Sequence, residues 1–295
     1  MGLKYESFQE LIEENEKSKK KISQIVLEDQ AKELGLGTQE LIEEMRARYR
    51  IMLEAKEEGL KEGVKSLSGL SGGDAYKLYR SCGGASVCGD AFTVSIAIAM
   101  AVSEHNAAMG RIVAAPTAGS CGILPGVLIG AAHAHGFGED EIVMSMFTAS
   151  FVGMLIAKKS GISGAQGGCQ AECGTASAMA AAALCELFGG DVESCVHAVA
   201  ITLKNVLGLV CDPVAGLVEV PCIKRNASGV ATALMAAQLA LSGIKSVIPA
   251  DETVLALKRV GDMMSSSLKE TAEGGLAATP TGACLCQCIY KKHNM

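Results

Sequence analysis

From Ser66 onward the chain is built from Gly, Ala, Ser and Met, beginning with Ser66-Leu-Ser-Gly-Leu-Ser-Gly-Gly-Asp74, and this use of small residues limits the folds open to it. Its 295 residues include 34 Gly, no Trp and only 4% aromatic side chains. A core of that composition forms where backbones approach closely, which favours helices with Gly and Ala on their contact faces. Val94 to Val102, Val127 to Ala134, Ser177 to Leu187 and Ala231 to Leu241, rich in Ala, Met and Leu, read as buried helices. His, Glu, Gly or Asn interrupts each well short of the roughly 20 apolar residues of a membrane span, so no membrane partner is expected.

Residues 1–65 have a different character, dense in Glu and Lys. Leu11, Ile12, Leu41, Ile42, Met45, Met52 and Leu53 recur near helical spacing, which predicts amphipathic helices. Leu34-Gly-Leu-Gly-Thr38 breaks the pattern, and Thr38, followed by Glu40 and Glu43, reads as the cap of a second helix. The expectation is an all-α protein: a helical N-terminal arm over 1–65 and a Gly/Ala-rich catalytic domain over 66–295 ending in a tail. The net charge of -6 argues against a nucleic-acid partner, since a phosphate backbone calls for a basic surface.

Twelve cysteines would suit a disulfide framework in a short secreted chain, but the opening MGLKYESFQELIEENEKSKKK carries no apolar leader. The reading is a cytoplasmic protein with reduced thiols, serving a metal, a cluster or plain burial. Cys185 and Cys195 fall in or beside helical patterns and read as packed. Two segments place thiols among Gly and Pro: Ser163-Gly-Ala-Gln-Gly-Gly-Cys169-Gln-Ala-Glu-Cys-Gly174 and Gly208-Leu-Val-Cys211-Asp-Pro-Val-Ala-Gly-Leu-Val-Glu-Val-Pro-Cys222-Ile-Lys-Arg-Asn226. Loop thiolates near free backbone N–H groups suit an iron–sulfur cluster. The compact C-x2-C pairs of a zinc knuckle are absent.

Those two segments, together with Ala115-Pro-Thr-Ala-Gly-Ser-Cys-Gly-Ile-Leu-Pro-Gly126, resemble the iron–sulfur L-serine dehydratases, in particular their alpha subunit, over roughly Ser66 to Thr281. The resemblance implies a carbon–nitrogen lyase in which three cysteines, here Cys169, Cys211 and Cys222, hold a 4Fe-4S cluster. Its remaining iron would act as Lewis acid on the substrate hydroxyl while a base takes the α-proton. Elimination of water from L-serine would leave an aminoacrylate, which tautomerises and hydrolyses to pyruvate and ammonia. Substrate-facing positions implied by the resemblance are Ser71, Gly72 and Gly73 in one Gly-rich stretch, and Thr117, Gly119 and Ser120 in a loop suited to a carboxylate. Arg225 and Asn226 join them, Arg225 as a carboxylate partner.

The base is not legible. His105, His133, His135, His197 and His293 each have an ordinary role as helix or surface residues, and His133 and His135, two apart, do not share a helical face. Glu172, three residues after Cys169, is the candidate. Single-chain relatives carry an extra N-terminal domain that does not occur here, so a beta-subunit partner is expected. In such relatives a C-terminal cysteine can occupy the fourth iron. Cys284, Cys286 and Cys288 would face one side of an extended tail and could serve that end, or be unrelated to it. Cys82, Cys88, Cys121 and Cys173 read as spectators. Elimination of sulfide from L-cysteine, and a non-catalytic cluster-binding subunit, are the competing readings. A pyridoxal phosphate enzyme is disfavoured because Lys158, Lys159 and Lys204 lack the context of a Schiff-base lysine.

Overall fold

The stretches read as buried helices are helical in the computed structural model, which describes residues 4–84 and 86–293. Among the described residues three helices precede Lys65: α1 (Phe8–Ser18), α2 (Ile22–Leu34) and α3 (Thr38–Gly59). Ten follow: α4 (Asp74–Arg80), α5 (Asp90–Ala107), α6 (Ile123–His135), α7 (Glu139–Ser160), α8 (Gly164–Gly167), α9 (Cys169–Leu187), α10 (Val192–Lys204), α11 (Cys222–Leu241), α12 (Ala250–Met263) and α13 (Pro280–His293). Among the described residues there is no sheet, and a single parallel bridge joins Cys211 to Lys269. The all-α expectation holds.

α9 lies at the centre, in contact with α6, α7, α10 and α11. Every residue from Cys169 to Glu186 is buried, including Ala176, Ala178 and Ala180, which have no exposed surface at all. Alanine combines the highest helix propensity with the smallest side chain that excludes water, so neighbours can close on all sides of this one helix. Glycine serves the same end where α3 crosses α5. A Cβ on Gly59 would stand 2.0 Å from the carbonyl oxygen of Ala101, a backbone atom that cannot rotate away. Gly59→Ala is therefore expected to destabilise the protein by about 1–3 kcal/mol. Its melting temperature should fall, and an unchanged melt would show that this crossing has slack.

The first three helices share the hydrophobic cluster that α7 and α9 build. Tyr5 and Phe8 meet Phe151 edge to face at 6.3 and 6.2 Å. Near the C-terminal end of α9, the buried Glu186 accepts hydrogen bonds from the Ser23 N–H at 3.2 Å and the Thr148 hydroxyl at 2.8 Å. The break at Leu34–Thr38 is present, but Thr38 does not cap α3. It is the first helical residue, and Gly37 takes the cap position without a side-chain bond.

α7, outside the four stretches named above, is long and apolar enough, by length and composition, to cross a membrane, although most of its apolar window is buried against the other helices. One further expectation changes. The tail is not extended: α13 begins at Pro280, whose missing N–H and fixed φ suit a first helical turn. Helical spacing puts Cys284 and Cys288 together, both exposed, and rotates Cys286 away to pack with Ile289 and Leu285 against Val214 and Ala215.

Candidate active site

Two of the three cysteines in question are not loop residues. Cys169 is the first residue of α9 and Cys222 the first residue of α11, while Cys211 lies on the bridge between α10 and α11. All three are buried. The Gly-rich run before Cys169 forms the short α8, and Gly168, at φ 77, makes the turn from α8 into α9. A side chain at Gly164 would collide with Cys211, since a Cβ there would lie 2.7 Å from its Sγ. This glycine lets the Cys211 segment close onto the α8–α9 corner.

Cys173, one turn along α9, joins the group. Its sulfur shares a hydrogen bond with that of Cys169 at 3.3 Å. The ligand atoms of Cys169, Glu172 and Cys173 lie within 4.8 Å of one another, close enough to hold a metal ion. Either sulfur can donate the shared proton. The hydrogen bond from Cys173, with the Arg225 charge behind it, holds the Cys169 thiol below its ordinary value, and the helix N-terminus favours the same thiolate. Cys173 keeps its proton, raised well above the ordinary thiol range by that bond and by burial. Burial, then the charges of Cys169 and Glu172, push Cys222 up to about 12, and burial also raises Cys211. These thiols would release protons to a bound metal, so metal affinity at this place should rise with pH.

Glu172 faces the 115–122 loop. The Thr117 hydroxyl donates to its Oε1, Thr117 shares a further hydrogen bond with Ser120 at 3.0 Å, and a Cβ on Gly119 would lie 2.5 Å from the carboxylate. Burial raises this carboxyl above the ordinary range, opposed by the Thr117 bond. Thr117, Gly119 and Ser120 therefore meet Glu172 as one cluster, and Glu172 reaches the thiols.

Asn226 and Arg225 are already engaged. The buried Asn226 amide accepts from the Gly122 N–H at 2.9 Å and donates to the carbonyls of Gly119 at 2.8 Å and Cys222 at 3.0 Å, tying the 115–122 loop to the start of α11. Asn226→Ala would leave buried backbone groups unpaired at about 1–3 kcal/mol. A lower melting temperature and weaker metal retention should appear together; a variant that melts and retains metal like the parent would overturn this role. Arg225 donates to the Val210 carbonyl at 2.9 Å and pairs with Asp212 Oδ1 at 2.9 Å, which leaves its charge beside Cys169 and Cys222.

Ser71, Gly72 and Gly73 lie in a different setting. Ser71 donates to Glu219 at 2.6 Å, and the Gly73 N–H donates to the buried Glu104 at 2.8 Å, which also accepts from the N–H groups of Asp74 and Ala75. Gly72 sits at φ 123 against the carbonyl of Val64. With Pro221 and Lys224, Ser71 lines a small cleft of about 50 Å³. Of the histidines, His105 lies beside Gly110 and feels the charges of Glu58 and Lys61, His133 and His135 lie in the last turn of α6, and the partly buried His197 accepts from the Ser246 N–H at 3.2 Å with its Nε2 3.6 Å from Glu193. The side chain of His293 lies outside the described residues. Cys185 and Cys195 are packed between helices, as expected, Cys121 is buried, and Cys88 is exposed.

Sequence reasoning missed two groups. Cys173 was legible as one helical turn from Cys169 only if α9 were known to start there. Glu270, beside Cys211, carries no motif that marks it.

Similarity to known proteins points the same way. The family described as "Serine dehydratase alpha chain" matches residues 17–277. The "Probable L-serine dehydratase, alpha chain" of Bacillus subtilis is 46% identical over 279 residues, 94% of this chain and 93% of that protein. The "L-serine dehydratase, alpha chain" of Peptoniphilus asaccharolyticus is 45% identical over 263 residues, 89% of this chain and 90% of that one. "L-serine dehydratase 1" of Escherichia coli is 43% identical over 181 residues, and the match covers 61% of this chain but 40% of that longer protein.

Proposed function

The chain belongs to the serine dehydratase alpha chain family, and on that premise we propose that it is the cluster-bearing subunit of an enzyme converting L-serine to pyruvate and ammonia. The observation that carries this reading is the buried group at the start of α9, where the ligand atoms of Cys169, Glu172 and Cys173 lie within 4.8 Å of one another, with the buried Cys211 and Cys222 near enough to feel the charges of Cys169 and Glu172 and the Thr117 hydroxyl on Glu172.

The donor set suits a 4Fe-4S cluster: three soft thiol ligands from separated segments, two of them at the N-termini of long helices, with Arg225 as counter-charge. When bound, such a cluster supplies a Lewis acid for the β-hydroxyl. Around it, Thr117, Ser120 and the N–H groups of the 118–120 turn receive the substrate carboxylate. Glu172 holds Thr117 at Oε1 and offers Oε2 to the α-proton, a buried carboxyl raised toward the pH at which it works. Asn226 fixes the loop against Cys222. Arg225 serves the thiolates from its place on Asp212. The Ser71–Gly73 stretch, in its own cleft beside Pro221, is the expected substrate contact with least support from the geometry. Cys284 and Cys288, exposed on α13, are the tail thiols open to the role of lid.

The alpha-chain names of the relatives support a beta-subunit partner, and twelve free thiols suit the reducing cytoplasm. The deciding experiment is anaerobic: iron, acid-labile sulfide and pyruvate formation from L-serine, with L-cysteine as comparison and with the beta subunit added or omitted. Iron, sulfide and serine-dependent pyruvate are expected, lost in air and restored by ferrous iron and thiol. Protein without iron and sulfide would end the cluster reading; a loaded complex inert toward serine would end the lyase reading.

A further inference from the structure

A carboxylate beside Cys211 has no role in the scheme above. Glu270 lies in the left-handed region at φ 64, and Ala272, two residues on, at φ 58. Residues other than glycine occupy that region at a cost, and such residues persist where surrounding structure over-determines them. Here the surroundings do so. The Cys211 N–H donates to the Leu268 carbonyl at 2.8 Å, the Glu270 N–H donates to the Cys211 carbonyl at 2.8 Å, and the Leu276 N–H donates to Asp212 at 2.7 Å. The segment is thus strapped along Cys211 and Asp212.

This strap aims the Glu270 side chain at the thiols. Its Oε2 and the Cys211 Sγ both lie against Gly164, 3.2 and 2.7 Å from where a Cβ would stand. Glu270 itself is exposed, so its carboxylate meets solvent on one side, and among the described residues it has no hydrogen-bond or ion-pair partner, Arg225 being held by Asp212. The Glu270 charge bears on both Glu172 and Cys211 and raises both. A carboxylate held at the open edge of the thiol group is placed to meet the cation that an amino acid brings.

We propose that Glu270 receives the α-ammonium of the amino-acid substrate, as a substrate-binding residue that separates amino acids from hydroxy acids without an amine. The inference rests on the lyase reading. The recognition step is an ion pair, and no bond is made or broken in it.

The test compares Glu270→Gln with the parent in the anaerobic complex with the beta subunit. L-Serine is the substrate, and 3-hydroxypropanoate, which lacks only the amine, is the competing inhibitor. KM for L-serine should rise roughly tenfold to a hundredfold, the range for a hydrogen bond to a charged group. The inhibition constant for 3-hydroxypropanoate, the iron and sulfide content, the melting temperature and co-elution with the beta subunit should stay as in the parent. Equal weakening toward both ligands would overturn the proposal, as would an unchanged KM, or loss of the beta subunit, which would assign the cation that Glu270 meets to that partner. Failure of the parent itself to act on serine would remove the lyase reading and this inference with it, a result separate from all of these.

Discussion

Replacing Cys169, Cys211 or Cys222 by Ala is expected to strip iron and acid-labile sulfide from anaerobically prepared protein, while Cys185→Ala leaves both in place. The contrast is informative because all four thiols are buried and similar in size. Each substitution removes one sulfur from a packed interior, so the cost in folding should be similar, and only the first three should empty the centre. Turnover should fall by at least about 10³, since a Lewis acid supplies several kcal/mol and each 1.36 kcal/mol is a factor of ten. Full iron content in all three variants would overturn the ligand assignment. Cys173→Ala belongs in the same series, because its sulfur lies 3.3 Å from that of Cys169.

Glu172→Gln should lower kcat by about 10² to 10⁴, the range for loss of a positioned general base, with iron content retained. Gln keeps the size of the side chain and can still accept from Thr117 through its carbonyl oxygen, so the loop should stay in place. The pH dependence separates a base from a structural carboxyl. Because burial raises Glu172, it gains its proton at a higher pH than an exposed carboxyl does. Parent activity should therefore fall as pH drops through that raised value, and recover above it. The residual activity of the variant should lack this acid limb. A variant that works at the parental rate would remove Glu172 from the chemistry.

Periodicity and composition were enough for the helices, because Ala, Met and Leu in runs such as Ser177–Leu187 have few other ways to be buried. The ends were harder. Gly164 to Gly168 looks like a loop by composition, yet its glycines make a short helix and a turn at φ 77 that leads directly into α9. Cys169 and Cys222 thus became helix N-termini, a setting that favours thiolate and that no local residue pattern announced. At the tail, alternating cysteines suggested a strand face, while Pro280, a suitable first helical residue, was the better signal. The site residues around Glu172 come from segments far apart in the chain, and only packing brings Thr117 to it. Glu270 owes its position to backbone bonds with Cys211, which side-chain identity does not encode.

α9 has no outward side. A helix on the rim of a bundle accumulates neutral changes on its solvent face and keeps only its inner stripe. From Cys169 to Glu186 that freedom is absent, since neighbouring helices close on it all round. Inherited variation in this part of the chain is therefore filtered at every position rather than at every third or fourth. The helix that begins with Cys169, a proposed ligand, is also the one whose sequence has least room to drift, so the proposed centre and the core that supports it are constrained as one unit. The amphipathic helices α1 and α3, with polar faces exposed, are where divergence can be absorbed.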